Sequence, residues 1–185
     1  MITAGDFRNG LIFKYEGELY KVVEFQHHKP GKGRAFMRSK IKNVRNGSVL
    51  ERTFRPDEKI ENITLELQKM QFMYKQNDRY AFMDQSTYEQ VEIDKDHLGD
   101  NAQFLKEGLE VTVVKHEGEI IGVDLPITIE LKVTYTEPGL KGDTVSSTYK
   151  AATVETGAVI KVPLFIAIGD VVVIDTRNGE YQSRA

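Results

Sequence analysis

Lys32 is the residue whose neighbours most favour chemistry. It sits between two glycines in His28-Lys29-Pro30-Gly31-Lys32-Gly33-Arg34-Ala35-Phe36. Pro30-Gly31 fits a reverse turn, because proline fixes φ and glycine permits positive φ. Gly33 adds a second flexible point. The pattern predicts a hairpin tip that projects the Lys32 amine outward from a rigid sheet. Such an amine can reach a phosphate, a reacting centre or a modifying enzyme. A plain exposed turn kept soluble by its lysine fits the same residues equally well. Two phosphate-binding loops are excluded. Walker A needs Ser or Thr after its lysine and a following helix, whereas Gly33 follows Lys32 and a strand pattern comes next. The dinucleotide fingerprint lacks its third glycine and its helix.

Other chemical constellations are thin. His27 and His28 are adjacent, so on a strand they face opposite ways and cannot easily share a metal. His97 and His116 stand alone. No His-Glu-x-x-His and no Gly-x-Ser-x-Gly occurs. Glu89, Glu92, Asp94 and Asp96 read as a solvated acidic face rather than an acid/base pair. With no cysteine, disulfides, thiolate metal sites and cysteine nucleophiles are ruled out. No catalytic residue, metal site or cofactor is therefore expected.

The elements that position the tip are strands. Leu19–Phe25 is β-branched and aromatic. Ala35–Val44 alternates, with Arg38, Lys40 and Lys42 on one face and Met37, Ser39 and Ile41 on the other. Asn46-Gly47 predicts a tight hairpin turn into Ser48–Phe54. Further strands are predicted at Leu65–Tyr74, Tyr80–Met83, Tyr88–Ile93, Leu109–Lys115, Glu119–Val123, Ile127–Thr136, Ala158–Val162 and Val171–Asp175. One helix is predicted over Asp100–Glu107, with Asp100 as N-cap and Gly108 as stop. Many short strands with regular turns imply small barrels. The 185 residues divide at short hinges into 1–62, 63–126 and 127–185.

Charge separates these segments. Residues 1–62 carry 13 Lys/Arg against 8 Asp/Glu; 63–126 carry 6 against 13; 127–185 carry 6 against 7. His27–Arg45 holds Lys29, Lys32, Arg34, Arg38, Lys40, Lys42 and Arg45 and no acid. The near-neutral total of −3 thus hides a basic end suited to a polyanion. A solvated basic strand face remains the bland alternative. The aromatics Phe72, Tyr74, Tyr80, Phe82 and Tyr88 lie in the acidic segment, where core packing accounts for them better than base stacking. No run approaches the roughly 20 apolar residues of a membrane span. The N-terminus lacks a signal-peptide pattern. A cytoplasmic protein is expected.

Lys29-Pro30-Gly31-Lys32-Gly33 followed by Ala35-Phe36 resembles the tip loop of bacterial translation elongation factor P. The likeness runs end to end. It includes Met1-Ile2-Thr3-Ala4-Gly5-Asp6-Phe7-Arg8-Asn9-Gly10, Thr53-Phe54-Arg55-Pro56 and Phe82-Met83-Asp84-Gln85-Ser86-Thr87-Tyr88-Glu89-Gln90. It continues through Pro138-Gly139-Leu140-Lys141-Gly142-Asp143-Thr144 and the segment from Lys150 to Gly169. His28 and Arg34 depart from it, standing at loop positions that are often uncharged.

The resemblance implies an all-β fold of three small barrels in an L shape, an SH3/KOW-like barrel followed by two OB-fold barrels. It implies a non-enzymatic factor that binds both ribosomal subunits between the peptidyl and exit tRNA sites. There it stimulates peptide-bond formation, notably at consecutive prolines. Lys32 is then the modified tip, beside the acceptor end of peptidyl-tRNA, and a lysine-modifying enzyme is a further partner. Lys29, Pro30, Gly31, Gly33, Arg34, Arg38, Lys40 and Lys42 form the loop and RNA-binding set. Gly142, Asp143 and Thr144 map to a small-subunit contact loop, and Tyr181 and Arg184 to an anticodon-stem contact. No membrane partner is implied, and a monomer is expected. Two alternatives stay open: a paralogue with a narrower ribosomal role, and a general single-strand nucleic-acid binder using OB barrels.

Overall fold

Alternation builds the hairpin arm as expected. From Phe36 to Asn43 the buried residues are Met37, Ser39, Ile41 and Asn43, while Phe36, Arg38, Lys40 and Lys42 face outward. The period of two marks a strand with one face on a core. The computed structural model describes residues 1–29, 31, 33–139 and 148–185.

The first sheet contains β1 (Ile2–Thr3), β2 (Ile12–Tyr15), β3 (Glu18–His28), β4 (Phe36–Asn43), β5 (Val49–Phe54) and β6 (Lys59–Asn62). Its order is β1-β6-β2-β3-β4-β5. Ala4, Phe7, Phe13, Val22, Met37, Ile41, Phe54 and Ile60 form its core. Phe13 and Phe54 meet edge-to-face at 6.2 Å, a favoured arrangement of ring quadrupoles.

The second sheet contains β7 (Glu66–Gln76), β8 (Arg79–Met83), β9 (Gln90–Asp94), β10 (Glu110–His116) and β11 (Glu119–Asp124), in the order β11-β10-β7-β8-β9. The third contains β12 (Thr128–Thr136), β13 (Tyr149–Val154), β14 (Val159–Pro163), β15 (Val171–Asp175) and β16 (Glu180–Arg184), in the order β14-β13-β12-β15-β16. Its outer strands β14 and β16 approach each other, so the sheet rolls around Leu131, Val133, Val162, Val172 and Ile174. The fold is all-β with three barrel-like sheets. By packing, the chain divides into two compact units, Met1–Leu67 with Val114–Gly122, and Gln68–Val113 with Val123–Ala185.

Several local expectations change. The helix predicted over Asp100–Glu107 is instead one α turn at Lys95–Leu98 followed by a 3-10 stretch at Gly99–Phe104. Gly99 has φ 55° and stops the α turn, and the apolar anchors Leu98, Phe104 and Leu105 are all buried. Phe104 joins the core of the third sheet. The turn at Asn46-Gly47 is wider than a two-residue hairpin. Lys42 pairs with Val49, and the Asn43 side-chain oxygen accepts the backbone N–H groups of Arg45 and Asn46. Among the five aromatics assigned to packing, Phe72, Tyr80 and Phe82 are buried, but Tyr74 and Tyr88 are exposed.

Two buried carboxylates tie turns together. Asp84 accepts hydrogen bonds from Ser86 Oγ, Gln68 Nε2 and the N–H groups of Ser86 and Thr87. These donors, Ser86 Oγ first, hold its carboxyl well below the usual range. Asp175, 3% exposed, accepts from Arg177 Nε, Arg177 Nη2, the Arg177 N–H and Gln182 Nε2. The Arg177 hydrogen bonds lead in pulling its pKa from 3.8 down to about 2. A carboxylate whose folded pKa is depressed stabilises the fold above its unfolded pKa. That contribution is lost as pH falls towards the folded value. The Asp175→Asn protein is therefore expected to be less stable than the parent at pH 7. The gap should shrink between about pH 4 and pH 2. Urea midpoints across that range test it; a gap independent of pH would contradict the assignment.

Candidate functional site

The tip loop hangs on the longest hairpin of the first sheet. β3 and β4 pair from Tyr20↔Asn43 to His28↔Phe36, with an irregularity between Val22 and Glu24. Beyond Val22 every β3 residue is exposed, whereas β4 stays buried at alternate positions as far as Met37, the partner of His27. At its root the His28 and Phe36 rings stack, with centroids 5.1 Å apart and planes 17° apart. His28 Nε2 also lies 3.3 Å from Gln26 Oε1. Adjacent His27 sits on the other face, opposite Met37.

The glycines divide their labour unexpectedly. The positive φ falls at Gly33 (127°), whereas Gly31 has no positive φ and no atom within 4 Å of where a Cβ would stand. Gly31→Ala should leave the loop intact. Gly33→Ala should cost about 1–3 kcal/mol of local strain, because side chains disfavour that backbone region. Amide exchange in the β3–β4 arm distinguishes them: faster exchange is expected only for Gly33→Ala, and equal behaviour would refute the division. Pro30 and Lys32, the residue expected at the tip, lie outside the described residues, as do Gly142, Asp143 and Thr144.

The basic run is less bare than its sequence. Arg38 Nη2 lies 2.8 Å from Glu51 Oε2 of β5, and Lys40 Nζ lies 3.1 Å from Glu24 Oε2 of β3. Arg45 Nη2 lies 2.9 Å from Glu119 Oε2. Arg38 draws the Glu51 carboxyl below its ordinary pKa through its hydrogen bond. Glu24 and Glu51 escaped the sequence reading because they are distant along the chain; a correct strand register would have found them. The side chains of Lys29, Arg34 and Lys42 have no ion-pair or hydrogen-bond partner among the described residues, so their charge is left to solvent or a partner.

The remaining candidates lie on the third sheet. Tyr181 of β16 packs half-buried against its core, and Arg184 is exposed at the end of the same strand. Among the described residues no three His, Asp or Glu side chains gather as a metal site. His116 Nδ1 instead lies 2.9 Å from the Thr64 carbonyl oxygen, a structural contact. No helix among the described residues is long and apolar enough to cross a membrane.

Comparison with known proteins identifies the whole chain. Residues 3–60 match the elongation factor P KOW-like domain, 65–123 its OB domain and 129–184 its C-terminal domain. The protein named elongation factor P from Agathobacter rectalis is 51% identical over 184 residues, covering 100% of both chains. Its namesake from Moorella thermoacetica is 52% identical over 185 residues, again covering 100% of both. A solved structure titled eukaryotic translation initiation factor 5A, from Methanococcus jannaschii, is 24% identical. It covers 66% of this chain and 94% of its own with a TM-score of 0.47, too distant a likeness to bear on the fold. The full-length matches, the KOW-like and OB domains in order and the three β sheets agree: this chain belongs to the elongation factor P family of translation elongation factors.

Proposed function

We propose that this translation factor binds the ribosome between the peptidyl and exit tRNA sites and speeds peptide-bond formation at consecutive prolines. Lys32 is the working group, extended by a lysine-modifying enzyme and held beside the acceptor end of peptidyl-tRNA. One observation carries the reading: the long β3–β4 hairpin bears the loop, and Lys29 and Arg34, whose side chains have no ion-pair partner among the described residues, flank Lys32 in the sequence. These neutralise RNA phosphates, while the stacked root limits how the loop departs from the sheet. The factor contributes position rather than acid or base, and the ribosome performs the bond-making step. Positioning a bound substrate is worth several kcal/mol.

In this reading 1–62, 63–126 and 127–185 are the working domains. Gly142, Asp143 and Thr144 meet the small subunit, and Tyr181 and Arg184 meet the anticodon stem. The factor acts as a cytoplasmic monomer without a cofactor. A reconstituted translation reaction tests the reading with two messages, one encoding three consecutive prolines and one without them. Adding the modified protein should accelerate the first and leave the second unchanged. Equal effects on both messages would rule out the proline role.

A further inference from the structure

Where the loop enters β4 and the chain leaves β5, an open groove of about 940 Å³ is lined by residues 34–36 and 53–57. Its walls combine three kinds of chemistry. Arg34 and Arg55 bring guanidinium groups with no ion-pair partner among the described residues. Phe36 brings an aromatic ring that stays 37% exposed although His28 stacks against it. Asp57 brings a carboxylate acceptor. The backbone of Pro56 is fixed from behind, its carbonyl accepting the Gly5 N–H at 3.0 Å. The Arg55 N–H, in turn, is held at 3.1 Å by Glu58 Oε2.

We propose that this groove binds one unstacked nucleotide of single-stranded RNA. The base continues the His28–Phe36 stack, the adjoining phosphates meet Arg34 and Arg55, and Asp57 accepts a hydrogen bond from an amino or ribose hydroxyl group. A ring with cations beside it is the arrangement that grips single strands without demanding a sequence. A peptide partner fits less well, since two unpaired guanidiniums flank one small aromatic surface. The proposal deepens the ribosomal reading and rests on it, but assigns RNA contact to residues outside the loop tip.

The test uses the full chain without ribosomes. Affinities are measured for a single-stranded cytidine hexanucleotide and for an abasic ribose-phosphate hexamer of equal charge. The base-bearing strand should bind about tenfold more tightly, the scale of one stacking contact. Phe36→Leu, which keeps apolar packing at the root, should erase that preference, and Phe36→Trp should keep it. Arg55→Gln should weaken both strands and flatten the salt dependence by about 0.7 per lost phosphate contact. Equal binding of the two strands, or a Phe36→Leu protein that still prefers bases, overturns the proposal. So do variants that bind RNA normally and fail only in enzymatic modification of Lys32, which would make the groove a protein-docking face. Because no ribosome is present, these results are independent of whether the factor relieves proline stalling.

Discussion

Lys32→Ala is expected to lower synthesis through consecutive prolines by at least about tenfold, the effect of losing 1.36 kcal/mol of positioning. Synthesis from proline-poor messages should change little. The fold should survive, because no described residue of segment 29–35 belongs to the first core, which is built from Ala4, Phe7, Phe13, Val22, Met37, Ile41, Phe54 and Ile60. Exposed substitutions usually shift stability by only about 0.5 kcal/mol either way. Lys32→Arg separates charge from identity. It keeps the positive charge but replaces a primary amine by a planar guanidinium. It is expected to fail like alanine, because a lysine-modifying enzyme needs the amine. Full polyproline synthesis by the alanine protein would reduce Lys32 to a solubilising turn residue.

Charge reversal on the hairpin arm should weaken ribosome binding unevenly. Lys29 and Arg34 have no ionic partner among the described residues, whereas Arg38 and Lys40 already face Glu51 and Glu24. Each phosphate contact adds about 0.9 to the slope of log affinity against log salt. Reversing Lys29 and Arg34 together removes two contacts. The loss of affinity between 50 and 200 mM salt should therefore be about tenfold smaller than for the parent. Neutralising the competing acids works the other way: Glu24→Gln with Glu51→Gln frees Lys40 and Arg38 for phosphate and should steepen the slope. Binding that ignores salt, or a steeper slope after reversal, would falsify the arm as the RNA-facing surface.

The outline of this fold was legible wherever one face of a strand is buried. β4 alternates cleanly, and β15 has the predicted bounds Val171–Asp175. β2 and β6 were missed because each has only four residues, too few to show a period. β16 was missed because Glu180, Gln182, Ser183 and Arg184 are all exposed and give no alternation. The displaced helix has a different cause: Gly99 stops an α turn that starts at Lys95. At the site, the concentration of cations could be read directly. Their neutralisation could not, because Glu51 lies 13 residues from Arg38 and Glu24 lies 16 from Lys40. The groove was equally hidden, since Phe36 and Arg55 come to line it together only when β4 and β5 pair.

The placement of Phe104 has a consequence for the order in which the chain is made. Its ring belongs to the core of the third sheet, and Gly179 has only hydrogen where a Cβ would stand 3.2 Å from Phe104 Cζ. Lys106 Nζ adds an ion pair at 3.0 Å to Glu155 Oε1. During synthesis, Phe104 leaves the exit tunnel before any strand of the barrel it will help to fill. The last barrel therefore condenses on a wedge already in place, and it closes only when Gly179 and β16 arrive. Residues 127–185 produced alone would have to fold around an empty slot, so their folding should be slow and their unfolding early compared with the same strands behind residues 68–126.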